Sequence, residues 1–312
     1  MHGGGGEDGL HLQLEVTSAC NHRCVFCPNQ MSRRKKQAMD YAFARRIISE
    51  CAAFLGKDKR ICFHMNGEPM LYPKLPELVA LAREEGYDYI FLTTNGSLAT
   101  PARLDALFRA GLDSIKFSIN AGTRESYKAI HGADDFEKAI AAVKYASMWR
   151  KKEKSSLRIY VSCVGTRENK SELKGLHALL SPYADEILFY YPSYAGQQQE
   201  TMKALHTDLE DLGLKTFSIR HTAPCAVLFN SINVTAEGYL ATCCSTGEDL
   251  RLAIEDLHEM PVKDAWLGAR MEAIRKKHMA KDLSHTPCAS CVCHVPYEKE
   301  RIDPILFPHA RE

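Results

Sequence analysis

The sequence has no uninterrupted apolar run of about twenty residues, so it offers no membrane-spanning helix. Its N-terminus, MHGGGGEDG, lacks the apolar core of a secretory signal, and residues 1–9 read as a flexible lead-in. Net charge is nearly absent. Forty Lys+Arg against 39 Asp+Glu leave a formal +1, which supplies no broad pull toward nucleic acid or an acidic membrane, so neither is expected as a partner. The basic run RRKK at 33–36 is short and reads as a solvated loop, with contact to an anionic substrate group as the other reading. Cysteine, by contrast, is plentiful, with twelve among 312 residues. Without an export signal this favours a reducing compartment, the cytoplasm, and thiolates held for metal rather than disulfides. An apolar content of 45% and a charged content of 25% suit a globular chain with one large core, or one core and a smaller appendage.

Between Leu10 and about Leu212, β-like runs alternate with amphipathic helices. The strands are expected at 10–16, 60–65, 89–93, 114–119, 157–164 and 186–191, and the helices at 41–54, 74–85, 101–110, 135–151, 170–181 and near 200–212. Thr100-Pro101 is an N-cap followed by proline at the first helical position, and Gly86 and Gly111 fall where C-caps belong. Six β-then-α units imply a parallel sheet with right-handed crossovers. A sheet covered on both faces should read as continuous apolar runs. Here His11, Gln13 and Glu15 alternate with leucines, Lys116 and Ser118 with Ile115 and Phe117, and Arg158, Tyr160 and Ser162 with Ile159, Val161 and Cys163. One polar face suits a wet lumen, so the expected fold is α/β, a partial (β/α)6 TIM-like barrel. After about residue 215 a hairpin (228–234 and 239–243) and a helix (262–279) form a small cysteine-rich unit. The expected organisation is 1–9, 10–215 and 216–312.

The segment CNHRCVFC at 20–27 presents Cys20, Cys24 and Cys27 directly after the first strand, at the mouth where barrels place reactive groups. Four cysteines would close a zinc site or saturate a 4Fe–4S cluster; three leave one iron open for chemistry. A zinc knuckle with a distant fourth ligand is the competing reading, and His22 inside the loop invites it. With its aromatic Phe26 before the third cysteine, this CxxxCxxC resembles the signature of radical S-adenosylmethionine (SAM) enzymes. The likeness extends to NGEP at 66–69, although Asn66 replaces the usual first glycine, to TTNG at 93–96, and to Ser118 and Asn120 after the fourth strand. It implies a 4Fe–4S cluster on the three cysteines, SAM on its open iron, and a 5′-deoxyadenosyl radical that takes hydrogen from a C–H bond. Phe26, Gly67, Glu68, Asn95, Ser118 and Asn120 are the implied SAM contacts.

Cys225 and Cys243 bracket the hairpin, and Cys288 and Cys291 form a CxxC. The set resembles the twitch extension, a short form of the SPASM domain, which implies one auxiliary 4Fe–4S cluster; a zinc ribbon is the alternative. Cys51 and Cys163 read as buried apolar residues. Cys244, beside an implied ligand, is a candidate hydrogen-atom donor, or else an inert neighbour or an alternative ligand. The motifs are similar to those of amino-sugar and aminocyclitol dehydrogenases and epimerases of this subgroup. That likeness implies dehydrogenation or epimerisation of a sugar, aminocyclitol or other polyol. Cys244, by its position, and Arg158 and Tyr160, which alternation can turn into the lumen, are the candidate catalytic residues. The likeness also implies a low-potential donor, flavodoxin or ferredoxin. Peptide modification, as in SPASM maturases, is the alternative; the single-cluster tail and the lack of an N-terminal leader-binding segment count against it.

Overall fold

The computed structural model describes residues 10–192, 203–217, 223–244, 250, 252–286 and 288–289. Strands β1 (His11–Leu14), β2 (Arg60–Cys62), β3 (Tyr89–Thr94), β4 (Ser114–Ser118), β5 (Arg158–Val164), β6 (Glu186–Tyr190) and β7 (Thr216–Phe217) run parallel, neighbour to neighbour, in chain order. Helices α1 (Tyr41–Phe54), α2 (Leu75–Glu84), α3 (Pro101–Arg109), α4 (Arg124–His131), α5 (Phe136–Glu153) and α6 (Leu173–Leu180) fill the crossovers. The alternation of the strands decides which face each helix covers. Leu12, Ile61 and Ile90 stand in register, as do Leu92, Ile115 and Ile159, and all six are fully buried. The opposite face carries Gln13, Cys62 and Phe91 in one row and Thr93, Lys116 and Tyr160 in the next. That is the expected polar lumen with helices outside. The barrel is partial: β7 ends one edge of the described sheet and β10 (Ala253–Asp256) the other. No helix among the described residues is long and apolar enough to cross a membrane.

The hairpin does not hang off this wall. β8 (Ser231–Val234) pairs in parallel with β1 over four register positions, from His11↔Ser231 to Leu14↔Val234. β9 (Tyr239–Ala241) and β10 then add antiparallel strands, extending the same sheet to ten. Tertiary context corrects four local readings. Residues 226–230 are helical rather than part of the hairpin strand. The helix expected at 262–279 is broken into Val262–Trp266 and Ala269–Met279 at Gly268, which is extended at ψ 160° and whose added Cβ would lie 2.9 Å from Asp264 O. α4 was not anticipated; Thr123 caps its first turn and Gly132, at φ 63°, ends it. Among the described part of 200–212 there is only a short turn of helix at 203–205 and a 3₁₀ turn at Glu210–Leu212.

Candidate functional site: the thiol loop and its supports

Beyond β1 the chain is tied back before it reaches the first cysteine. The Ser18 N–H and the Thr17 hydroxyl both donate to Gln37 O, at 2.9 and 3.0 Å. The Glu68 N–H donates to Ala19 O at 2.8 Å. Glycine at 67 permits that approach, because a Cβ there would lie 2.0 Å from Thr17 O and 2.7 Å from Ala19 O. The NGEP turn is therefore the floor on which the cysteine loop rests. On it Cys20, Cys24 and Cys27 converge, all half-buried. Burial pushes the Cys20 thiol up to about 12. Burial, and then the proximity of Cys27 and Cys20, holds Cys24 well above the usual thiol range. Three such thiols ionise together only around a cationic centre, which is the fit expected of an iron cluster.

Behind Cys24 lies a hydrogen-bond chain. The Asn120 N–H donates to His131 Nε2 at 3.1 Å, and burial holds that imidazole neutral, with its pKa lowered to about 3. A neutral ring accepting at Nε2 carries its proton on Nδ1. That N–H faces Cys24 Sγ at 3.4 Å and His22 Nδ1 at 3.3 Å, while His22 Nε2 lies 3.1 Å from Asp135 Oδ2. His22 thus belongs to a relay with His131 and Asp135. His22, Cys24 and His131 also offer ligand atoms within 4.8 Å of one another, the geometry that a zinc reading of this loop would use. His131 went unrecognised in the sequence, since nothing local links position 131 to the loop.

The strand ends carry the other expected contacts. Glu68 is buried, and both its oxygens are engaged: Oε1 accepts from Met70 N (2.9 Å) and Thr94 Oγ1 (2.7 Å), Oε2 from Asn95 N (2.7 Å). Burial raises its pKa while these bonds oppose the rise. Glu68 thus clamps the NGEP turn to the end of β3. Asn95 Nδ2 donates to Asn21 Oδ1 (2.9 Å), and Asn21 Nδ2 to Ser97 Oγ (2.8 Å), which stitches the loop to the same strand end. Ser118 faces Ser162 across β4 and β5, with hydroxyls 3.4 Å apart. Asn120 holds Val164 N and Asn169 Nδ2 as well as His131. Phe26 packs half-buried against the core. Arg158 lies elsewhere: it opens β5 at the end away from the loop, exposed, 3.8 Å from Asp185. Tyr160 is buried beside Tyr89 and Arg158, one layer further in.

The run at 33–36 is not a solvated loop throughout. Arg34 is buried and grips two carboxylates, Glu15 through both Nη atoms and Glu237 through Nε (3.1 Å) and Nη2 (2.6 Å). Glu15, which alternation points into the lumen, is consumed by this pair together with Asn66 N (3.2 Å), Asn66 Nδ2 (3.1 Å) and Ala236 N (2.9 Å). Asn66 also donates to Cys244 O at 3.3 Å. The asparagine where the motif usually has glycine therefore joins the loop floor to the tail.

In the tail, Cys225, Cys243 and Cys288 lie within each other's electrostatic reach; Cys291, like Cys293, falls outside the described residues. Burial raises Cys225 to about 11 and Cys288 to about 12. Cys244 hydrogen-bonds Cys243, which together with burial keeps it protonated. Cys51 and Cys163 are fully buried in the helix-covered core. The Cys225 N–H donates to Nδ1 of buried His278 (3.3 Å), another residue that no sequence signal flagged.

The family model described as the radical SAM superfamily matches residues 14–180, and one described as an iron–sulfur cluster-binding domain (SPASM) matches 225–292. The chain belongs to the radical SAM superfamily. The cofactors of a radical SAM enzyme with a SPASM domain are SAM, a 4Fe–4S cluster and an auxiliary cluster. Cys20, Cys24 and Cys27 fit the first cluster, and Cys225, Cys243 and Cys288 would offer thiols to the second. Bound together, SAM and the first cluster would supply the radical chemistry of the superfamily. The radical SAM chain is 36% identical over 134 residues to GTP 3′,8-cyclase of Chlorobaculum tepidum (43% of this chain, 39% of that protein). It is 32% identical over 135 residues to the SAM-dependent 2-deoxy-scyllo-inosamine dehydrogenase of Niallia circulans (39% of this chain, 51% of that protein). These matches span about half or less of the relatives' lengths. In fold it is similar to Streptococcus suis SuiB bound to precursor peptide SuiA, with TM-score 0.68 at 14% identity, covering 86% of this chain and 67% of that one.

Proposed function

We propose that this radical SAM enzyme takes hydrogen from a carbinol C–H of a sugar, aminocyclitol or related polyol held in the lumen, and that Cys244 decides between epimer and ketone. One observation carries the reading. The Cys244 thiol adjoins Cys243 of the tail set and is also within electrostatic reach of Lys116 on the lumen face of β4. A protonated thiol there stands between the substrate chamber and the auxiliary centre. The dehydrogenase of Niallia circulans supports the substrate class. The polar lumen wall, with Thr93 and Lys116 in one row, supports a small hydroxylated ligand.

Both branches begin with loss of a hydrogen atom from the substrate carbon. In the first, the S–H bond of Cys244 breaks and its hydrogen goes to the opposite face of that carbon. The sulfur radical left behind then takes one electron and one proton from an iron–sulfur carrier and solvent. In the second, the carbon radical would lose its hydroxyl proton to solvent and one electron to the oxidised auxiliary iron–sulfur cluster, and Cys244 keeps its hydrogen. Turnover of a sugar panel in D₂O tests the reading. Wild type is expected to place a solvent deuterium on the reacting carbon, and Cys244→Ala to form 5′-deoxyadenosine without that product. A deuterated epimer from Cys244→Ala removes the thiol from the scheme, and a ketone from wild type assigns the second branch. Reduced, iron-loaded enzyme that never yields 5′-deoxyadenosine overturns the whole reading.

A further inference from the structure

We propose that Lys116 and Thr93 form an oxyanion subsite in the lumen, so that the substrate carries a carboxylate or a phosphate. The inference deepens the polyol reading and rests on the lumen being the substrate chamber. Thr93 and Lys116 are register partners on β3 and β4, on the face opposite the helix-covered Leu92 and Ile115. Lys116 is half-buried, and among the described residues it makes neither a hydrogen bond nor an ion pair; its charged-group neighbours are the thiols of Cys62 and Cys244 and the ring of His64. Thr93 Oγ1 is buried and has no hydrogen-bond partner among the described residues. Buried polar groups are rarely left unsatisfied, so two adjacent donors without acceptors point to a ligand that brings its own.

The carboxylates that might have answered Lys116 are committed elsewhere. Glu15 is held by Arg34, Asn66 and Ala236; Glu68 by Met70, Thr94 and Asn95; Glu186 by Lys215 at 2.6 Å. Among the described residues, the uncompensated charge on this stretch of the lumen is therefore positive. Burial opposes that charge and lowers the ammonium's pKa, a cost that an anion held at Lys116 would offset. Such a chamber accepts an acidic or phosphorylated polyol and disfavours a cationic aminocyclitol, against which Lys116 stands as an unpaired like charge.

Calorimetric titration of the iron-loaded, SAM-bound enzyme with four probes tests this: glucose, glucosamine, glucuronate and glucose 6-phosphate. At least one anion is expected to bind about tenfold tighter than glucose, with glucosamine weakest. Whether glucuronate or glucose 6-phosphate leads identifies the source of the oxyanion. Lys116→Met is expected to erase the preference, Lys116→Arg to keep part of it, and Thr93→Val to weaken the anion several-fold. The proposal is overturned if neither anion binds, if glucose or glucosamine binds as well as both, or if Lys116→Met keeps the preference. Because heat of binding is read without turnover, an enzyme that cleaves SAM but ignores charge refutes the subsite alone. One that binds anions yet never forms 5′-deoxyadenosine refutes the polyol chemistry alone.

Discussion

Replacing Arg34 with methionine removes the cation that compensates Glu15, and the size of the effect follows from the burial of the two partners. Glu15 is wholly inaccessible, and the Arg34 side chain is 1% exposed. Stripping one partner from a buried pair costs about 3–5 kcal/mol, because the remaining charge stays desolvated. Glu15 keeps its bonds from Asn66 and Ala236, which places the expected cost near the lower end, about 3 kcal/mol. Glu237, with 13% of its side chain exposed, rehydrates and adds little, so Glu237→Gln alone should cost about 1 kcal/mol or less. For a chain of 312 residues, 3 kcal/mol corresponds to a fall in Tm of roughly 4–5 °C, at about 2.1 cal/mol/K of unfolding entropy per residue. Scanning calorimetry of Arg34→Met, Glu15→Gln and the double variant measures it. The double variant should recover most of the loss, since a neutral amide no longer needs the guanidinium. If Arg34→Met melts with wild type, or the double variant is no better than the single, Arg34 does not neutralise a buried carboxylate and the account of this loop fails.

Gly67→Ala should disable the thiol loop, because a Cβ 2.0 Å from Thr17 O meets backbone rather than a yielding side chain. Iron content after reconstitution should fall by half or more, whereas Gly175→Ala, whose Cβ meets nothing within 4 Å, should leave it unchanged. His131→Phe keeps the stacking on Tyr127 (centroids 3.9 Å apart) but removes the donor facing Cys24. Hydrogen bonds to cluster sulfurs favour the reduced, more negative state. The potential of the SAM-binding cluster, titrated by EPR, should therefore move negative by about 50 mV, equivalent to about 1 kcal/mol for one electron. An unchanged potential at full iron loading would show that the bond does not survive cluster binding.

The strands were legible because their periodicity is physical. A side chain every second residue under helices must be apolar, and Leu12, Leu14, Ile115, Phe117, Ile159 and Val161 obey this with no exposure. The cysteine spacing was legible for a similar reason, since ligands from one short loop have little freedom of placement. What escaped depended on contacts distant in sequence. Arg34 reads as one of four basic residues until Glu15 and Glu237 are brought to it, across separations of 19 and 203 residues. α4 buries Tyr127, Ile130 and His131 at the i, i+3, i+4 spacing of an amphipathic helix, and it escaped because that signal spans only eight residues. Glu15 alternates correctly into the lumen, yet its bonding partners come from the tail and the loop. Alternation gives direction; it does not say what will be waiting there.

Asn66 shows how the two cysteine sets come to depend on one another. Its backbone follows β2 and precedes Gly67, whose packing supports the loop of Cys20, Cys24 and Cys27. Its side chain reaches Glu15 on one side and the carbonyl of Cys244 on the other. Glu15 in turn accepts from Ala236 in the hairpin turn, and Arg34 carries the same carboxylate to Glu237. β8 meanwhile continues the sheet directly beside β1, the strand from which the thiol loop departs. A glycine at position 66 would free the backbone but contribute neither amide bond, leaving Cys244 O and Glu15 Oε1 each short of a donor. The asparagine is thus understandable as the residue that trades backbone freedom for a direct tie between the loop floor and the backbone of Cys244. Under the proposed quenching by Cys244, at one carbon and one face, a fixed position for that residue is the requirement that matters.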